Sequence, residues 1–501
     1  MEKSKVGFLF GAGAEISYGM PSGGKFALDI FRHSTQNSKD KLRDMITAIN
    51  KRSDYAAYGL PKDFDRKNIS AYGKAVYRGI IKDTIRNNKE KIIDNLNDFD
   101  TLAEKAARQI FRDKKDDPMN QLDSKIKEEI GPDVNVNQEL QYNDLFKKGN
   151  DLFENQYFAA ILMYYKDYPF ECEDDRIFLG ELIKSILQLQ IGALSSNISS
   201  KVEDSVFEKD NLHLDLFDDL GGSLNVNYET AGIEGLNLLS EKQVKETSHC
   251  IVRLAYNIVE NVYSNVLNYK SLIDSNWHYL YSPKTEWAKF SKIIVFLYTV
   301  QEYINEQAKN LNSSKSGYYT DLNEVIESGK FEVPIIGTSN YSSFISKILT
   351  HQKISFLNGG IDVYYDPYMN SLVDEKDDGM GHIIVPLMFT QSGTKPMTSI
   401  DMSKKYVDFY DALKDADKIC SIGFGFNSDD EHINGVIRTL IERENKQLYI
   451  VCVDNMSKVN LRKMYARKLR ISNENNIHIV QIDSNSRKVK DEDIMWYEKL
   501  E

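Results

Sequence analysis

Glycine spacing around residue 11 is the first feature of this chain that could do chemistry. Gly11 and Gly13 follow the apolar run Val6, Gly7, Phe8, Leu9 and Phe10, and Gly19 with Pro21 forces a second turn. Such a run reads as a short strand buried on both faces. Glycine lets the backbone turn sharply and approach a ligand closely. Backbone N–H groups exposed in a loop of this kind, ahead of a helix N-terminus, favour a phosphate. The spacing departs from the dinucleotide fingerprint G-x-G-x-x-G, because Ile16 stands in place of the third glycine. On spacing alone, a plain glycine turn and a phosphate cradle stand as equal alternatives.

Further polar loops follow later apolar runs. Thr338-Ser339-Asn340-Tyr341-Ser342 comes after Ile335-Ile336, Asn358-Gly359-Gly360 after Ser355-Phe356-Leu357, and Gly423-Phe424-Gly425-Phe426-Asn427 after Ser421-Ile422. In open sheets, ligands gather where such loops leave the carboxyl ends of the strands. Taken by itself, Asn340 reads as a side chain holding a strand-to-helix turn. Asp454 reads as an acceptor for an adenosine ribose, or equally as a turn aspartate. His382 and His432 stand near these loops. Imidazole suits proton transfer near neutral pH, and each of the two also reads as a hydrogen-bonded structural residue.

The string Gly11-Ala12-Gly13-Ala14-Glu15-Ile16-Ser17-Tyr18-Gly19-Met20-Pro21 resembles the opening motif of the sirtuin-like family, G-A-G-x-S followed by a G-x-P turn. Gly11, Ala12, Gly13, Ser17, Gly19 and Pro21 fit. Glu15 replaces a serine near the pyrophosphate, so the resemblance puts a carboxylate there; the plainer reading is a first-turn glutamate complementing the helix dipole. Thr338 to Ser342 resembles the family's T-x-N-x-D, which implies Asn340 beside the nicotinamide ribose of NAD, with Ser342 in place of the aspartate. Leu357-Asn358-Gly359 resembles L-H-G with Asn358 in place of the histidine. Gly423 to Asn427 resembles the G-x-G/S-F-x-D loop, which contacts ribose and phosphates. That loop in its expanded form, and residues 391–396 with Lys395, resemble bacterial sirtuin-like defence proteins.

The resemblance implies NAD as substrate. Gly11, Ala12, Gly13, Ser17, Pro21, Thr338, Ser342, Gly423, Gly425, Asn427 and Asp454 would bind it, and Asn340, Asn358, His382 and His432 are the catalytic candidates. Asparagine at 358 cannot serve as a base, and a missing base costs about 10²- to 10⁴-fold. Deacylation, in which the family's histidine deprotonates a ribose hydroxyl, suffers most. Hydrolysis of the nicotinamide bond passes through a sugar cation, as glycosidic cleavages do, and needs less help. The expected activity is therefore NAD hydrolysis to nicotinamide and ADP-ribose, in the manner of an NAD-depleting effector of anti-phage defence. The alternatives are a catalytically inactive NAD or ADP-ribose sensor and a protein deacylase. A hydrolase of this kind implies control by a homo-oligomer or a partner protein.

The elements that must position these residues alternate strand and helix. Strands are predicted over 6–10, 333–336, 353–357, 383–385, 418–422, 447–453 and 477–482, with helices over 25–32, 341–349, 405–415, 430–442 and 458–469. That order implies a Rossmann-like, mostly parallel sheet covered on both faces, as in the sirtuin-like fold. Between the first and second strands lies a charged, Asn-rich stretch with helical periodicity, for example Ile251, Leu254, Ala255, Ile258 and Val262. The expectation is an α/β domain of residues 1–35 and 318–501, interrupted by a large all-α insertion over 36–310.

Composition sets further bounds. The net charge of −12 argues against general nucleic-acid binding. The four cysteines, Cys172, Cys250, Cys420 and Cys452, are scattered without a C-x-x-C pair, which predicts reduced thiols, a cytoplasmic protein and no metal. Lys3 and Lys5 before a short apolar patch only faintly mimic a signal peptide, and the longest apolar run, 293–300, is too short for a bilayer. No membrane association is expected.

Overall fold

A computed structural model describes residues 3–21, 23–111, 117–132, 134, 155–170, 172–193, 228–264, 266–267, 270–373, 381–388, 399–454, 456–484, 486–490 and 492–501. The chain divides into two compact units, one of residues 1–22, 33–72 and 269–501, the other of 23–32 and 73–268.

The first unit is built on a parallel sheet of six strands: β1 (Val6–Phe10), β2 (Ile336–Thr338), β3 (Ile354–Phe356), β7 (Lys418–Ile422), β8 (Gln447–Cys452) and β9 (Ile477–Gln481). Their order is β3-β2-β1-β7-β8-β9. Counted within this sheet alone, that is the doubly wound Rossmann order, and it reverses direction between β1 and β7. β1 is buried along its whole length. Val6, Phe8 and Phe10 share one core with Tyr319, Leu322 and Trp496, each large ring contributing about 1.5–3 kcal/mol of burial. On the other face Gly7 leaves room for Leu413, carried by the helix Ile400–Lys414.

A second sheet in this unit has β4 (Gly359–Asp366), β5 (Ser371–Val373) and β6 (Val385–Met388), in the order β5-β4-β6. All its pairings are antiparallel. The strand expected over 383–385 therefore does not join the parallel sheet. Nor do β4 and β5 match any expected element, because Gly359-Gly360 reads as loop while in fact opening an eight-residue strand.

The helical unit comprises, among the described residues, Gly23–Arg32, Lys74–Asn87, Lys89–Asn97, Phe99–Ile110, Pro118–Glu129, Gln156–Asp167, Glu173–Ala193, Tyr228–Glu241 and Cys250–Ser264. Asn155 caps one of them, its Oδ1 accepting from the N–H groups of Tyr157 and Phe158. The buried Glu260 carboxylate is held by Lys25 at 2.9 Å and Arg32 at 3.0 Å. Burial pushes its pKa up, but the two cations more than offset that and hold it below the ordinary value.

The compact units do not follow the expected boundaries: residues 36–72 and 269–310, expected in the insertion, fall in the unit of the sheets, and residues 23–32, expected with the first strand, fall in the helical unit. On the helix Trp287–Lys309, Tyr298 donates to the carbonyl of Ile384 at 2.8 Å and Gln301 to the hydroxyl of Tyr364 at 2.8 Å. Thr299 meets Ser38 at 3.0 Å. An amphipathic repeat shows that a helix has a buried face, not which neighbour covers it. The loop 391–396 with Lys395, and residues 114–116, lie outside the described residues. No helix among the described residues is long and apolar enough to cross a membrane.

Candidate functional site

The loops after β1 and β7 meet at the point where the strand order reverses. Gly11 donates its N–H to the carbonyl of Ile422 at 2.9 Å, and Gly13 to that of Gly423 at 3.1 Å. Gly423 has φ +67°, and a Cβ there would lie 2.3 Å from the backbone nitrogen of Ala14. A Cβ on Gly11 would lie 2.5 Å from the Gly423 carbonyl oxygen. Only glycine fits either place. The N–H groups of Gly11 and Gly13, expected to face a phosphate, are thus spent on the last residue of β7 and on Gly423 just beyond it. Ala12, Gly423, Gly425 and Asn427 are the exposed residues at this mouth. The helix behind Gly13 is a single turn, Gly13–Ile16.

Asn340, in the loop after β2, reaches the same place. Its Nδ2 donates to the carbonyl of Gly11 and to the hydroxyl of Tyr319, both at 3.2 Å. Its own N–H is taken by Oγ1 of Thr338 at 3.1 Å. Tyr319 donates to Oε1 of Glu15 at 3.2 Å, and Ser342 lies 2.9 and 2.8 Å from the two carboxylate oxygens. Glu15 is 2% exposed. Burial raises its pKa from 4.5 to about 7, against the opposing hydrogen bonds from Ser342 and Tyr319. Glu15 therefore stands in the first turn of the short helix Gly13–Ile16, as read from the sequence, but buried, with its carboxyl group taken by Tyr319 and Ser342. Two of the positions at which the loops depart from the motifs they resemble, Glu15 and Ser342, are each other's partners.

Asn358, after β3, is likewise buried. Leu357 donates its N–H to the carbonyl of Thr338 at 2.8 Å, so the loops after β2 and β3 adjoin. Oδ1 of Asn358 lies 2.9 Å from Nε2 of His432. An amide oxygen only accepts, so Nε2 carries the proton in this arrangement. His432 sits on the helix Glu431–Glu444 behind β7, with the ring of Tyr406 edge-on at 5.5 Å. The Tyr406 hydroxyl donates to the carbonyl of Leu357, fixing the loop. The imidazole absent from residue 358 is thus present beside it, on another element.

His382 pairs through Nδ1 with Asp366 at 2.7 Å, on the antiparallel sheet, and packs against Tyr55 and Tyr368. Ser17 donates to the carbonyl of Ala14 at 3.2 Å, and Pro21 is half-buried behind it. Asn427 accepts at its carbonyl from Asn434 at 2.8 Å, and Gly425 from Lys468 at 2.8 Å. Asp454 closes a turn, its Oδ1 taking the N–H of Met456 at 2.7 Å. His33, Glu302 and Glu306 bring possible metal-ligating atoms within 4.8 Å of one another, but Asn37 donates to Glu302 there and Glu306 is exposed. Tyr319 went unread in the sequence, although Tyr318, Leu322 and Val325 carry the helical spacing that places it.

These loops form one polar, largely buried cluster at the carboxyl ends of β1, β2, β3 and β7. Comparison of the chain with models of known protein families and with curated proteins finds no match.

Proposed function

We propose that this protein is an NAD glycohydrolase, cleaving NAD to nicotinamide and ADP-ribose, and that it depletes the cofactor in anti-phage defence. One observation carries the reading: Asn340 is hydrogen-bonded to Gly11 at the reversal point of a Rossmann-ordered sheet, so the glycine loop and the amide share one place. In this proposal the diphosphate lies along the backbone of the exposed residues Ala12, Gly423 and Gly425, while Gly11 and Gly13 shape the loop. Asn340 orients the nicotinamide ribose and the attacking water. Asn358 and His432 line the reacting side, His432 supplying the proton-transfer group that residue 358 lacks. NAD carries the leaving group, and the sugar cation is quenched by water. The helical unit is the proposed surface for self-assembly or for a controlling partner.

Incubating the purified full chain with NAD tests this. Nicotinamide and ADP-ribose should appear in equal amounts, and Asn340→Ala should abolish both. NAD bound without turnover would instead favour a sensor. Release that requires an acylated peptide would favour a deacylase.

A further inference from the structure

We infer that Tyr319 and Glu15 are positioning residues for Asn340: the Tyr319 hydroxyl, held as a donor by the Glu15 carboxyl, fixes the amide with its NH2 inward and leaves Oδ1 to accept from a sugar hydroxyl or water. The inference deepens the NAD glycohydrolase reading and rests on it for the identity of the substrate.

Hydrogen-bond direction settles the orientation. A backbone carbonyl can only accept, so Gly11 requires Nδ2 of Asn340 on its side. The second Nδ2 hydrogen goes to the Tyr319 oxygen. Tyr319 can accept there because its own proton is committed to Glu15. Oδ1 of Asn340 then has no hydrogen-bond partner among the described residues. The Tyr319 ring cannot drift, being stacked on Tyr18 with centroids 5.4 Å apart and edge-on to Phe10 at 5.0 Å. Ser342 occupies the rest of the carboxyl group.

The chain of donors from Asn340 through Tyr319 to Glu15 stands in both protonation states of Glu15, since a protonated acid can turn its own O–H to Ser342. Ionisation strengthens it: the carboxylate polarises Tyr319, Tyr319 polarises the amide, and Oδ1 becomes the better acceptor. The groups that bear on Glu15 can be named. Tyr18, on its own turn, accepts at its hydroxyl from the N–H groups of Tyr319 and Thr320. The helix Tyr318–Glu327 presents Tyr319, and its Asp321 is taken by Arg487 at 2.6 Å. The loop after β2 presents Asn340 and Ser342. No cation pairs with Glu15 among the described residues, and burial holds its pKa at about 7.

The test compares wild type, Tyr319→Phe and Glu15→Gln as full-length chains, following nicotinamide release from NAD across pH 6 to 8. Tyr319→Phe should lower kcat about 10- to 100-fold with KM moved less than about threefold. Wild-type turnover should rise through about pH 7, and Glu15→Gln, which keeps an acceptor for Tyr319, should be active with that rise removed. Tyr319→Phe retaining kcat within about twofold, or Glu15→Gln titrating like wild type, would overturn the inference. If wild type turns over no NAD, the functional reading fails, and selective ¹⁵N labelling of asparagine decides the positioning separately. The Asn340 side-chain amide protons should then exchange slowly in wild type and fast in Tyr319→Phe; fast exchange in both overturns it.

Discussion

At the scale of residues, the site turns on a buried acid and a displaced imidazole. Folding raises Glu15 from 4.5 to about 7 because burial disfavours its charged form. Its stabilising contribution is therefore complete below about pH 4.5, declines as pH rises towards 7, and is absent above. Glu15→Gln should accordingly gain stability relative to wild type between pH 5 and pH 8, by on the order of 3 kcal/mol. Denaturant unfolding at the two pH values measures it, and an unchanged difference would refute the titration. His432→Ala should reduce nicotinamide release about 10²-fold, with NAD binding kept. Sequence reading reached Asn340, Asn358 and His432 individually, and Glu15 as an oddity. It could not show that Glu15 touches Ser342, or His432 touches Asn358, because each pair is far apart in the chain and meets only through the sheet register.

At the scale of elements, the two glycine loops set the geometry. Gly423→Ala would force an L-residue to φ +67° with its Cβ 2.3 Å from the Ala14 nitrogen. The conformational strain alone costs about 1–2 kcal/mol, so a lower melting temperature and weakened NAD binding are expected together. Tyr18→Phe removes the hydroxyl that accepts from the first-turn N–H groups of the helix Tyr318–Glu327. By analogy with cap removal, that costs about 0.5–2 kcal/mol, measurable by thermal unfolding. β1, β7, β8 and β9 were legible as apolar runs bounded by turn residues. β3, of three residues, lies inside its expected range, whereas β2 shares only Ile336 with its own and runs on to Thr338, because the ladder with β1 continues past the apolar run into Gly337 and Thr338. The helix Tyr318–Glu327 and the strands β4 and β5 were missed, the first directly after the polar run Asn312 to Gly317, the second behind paired glycines.

At the scale of the whole molecule, β1 pairs in parallel with β2 at Phe8 and Ile336 although a separate helical unit intervenes in sequence. That the first strand joins the later sheet was legible; the extent of the insertion was not, since helices of both units share one periodicity. Glu260→Ala strips Lys25 and Arg32 of their buried partner, and breaking such a pair costs about 3–5 kcal/mol. That loss should appear in the unfolding of the helical unit while NAD binding by the sheet unit persists. The most direct measurement is a crystal structure of the Asn340→Ala chain with NAD. The diphosphate should lie on the backbone of Ala12, Gly423 and Gly425, with the nicotinamide ribose between residues 340 and 358. NAD bound elsewhere, or no NAD at saturating concentration, would contradict the assignment of this cleft.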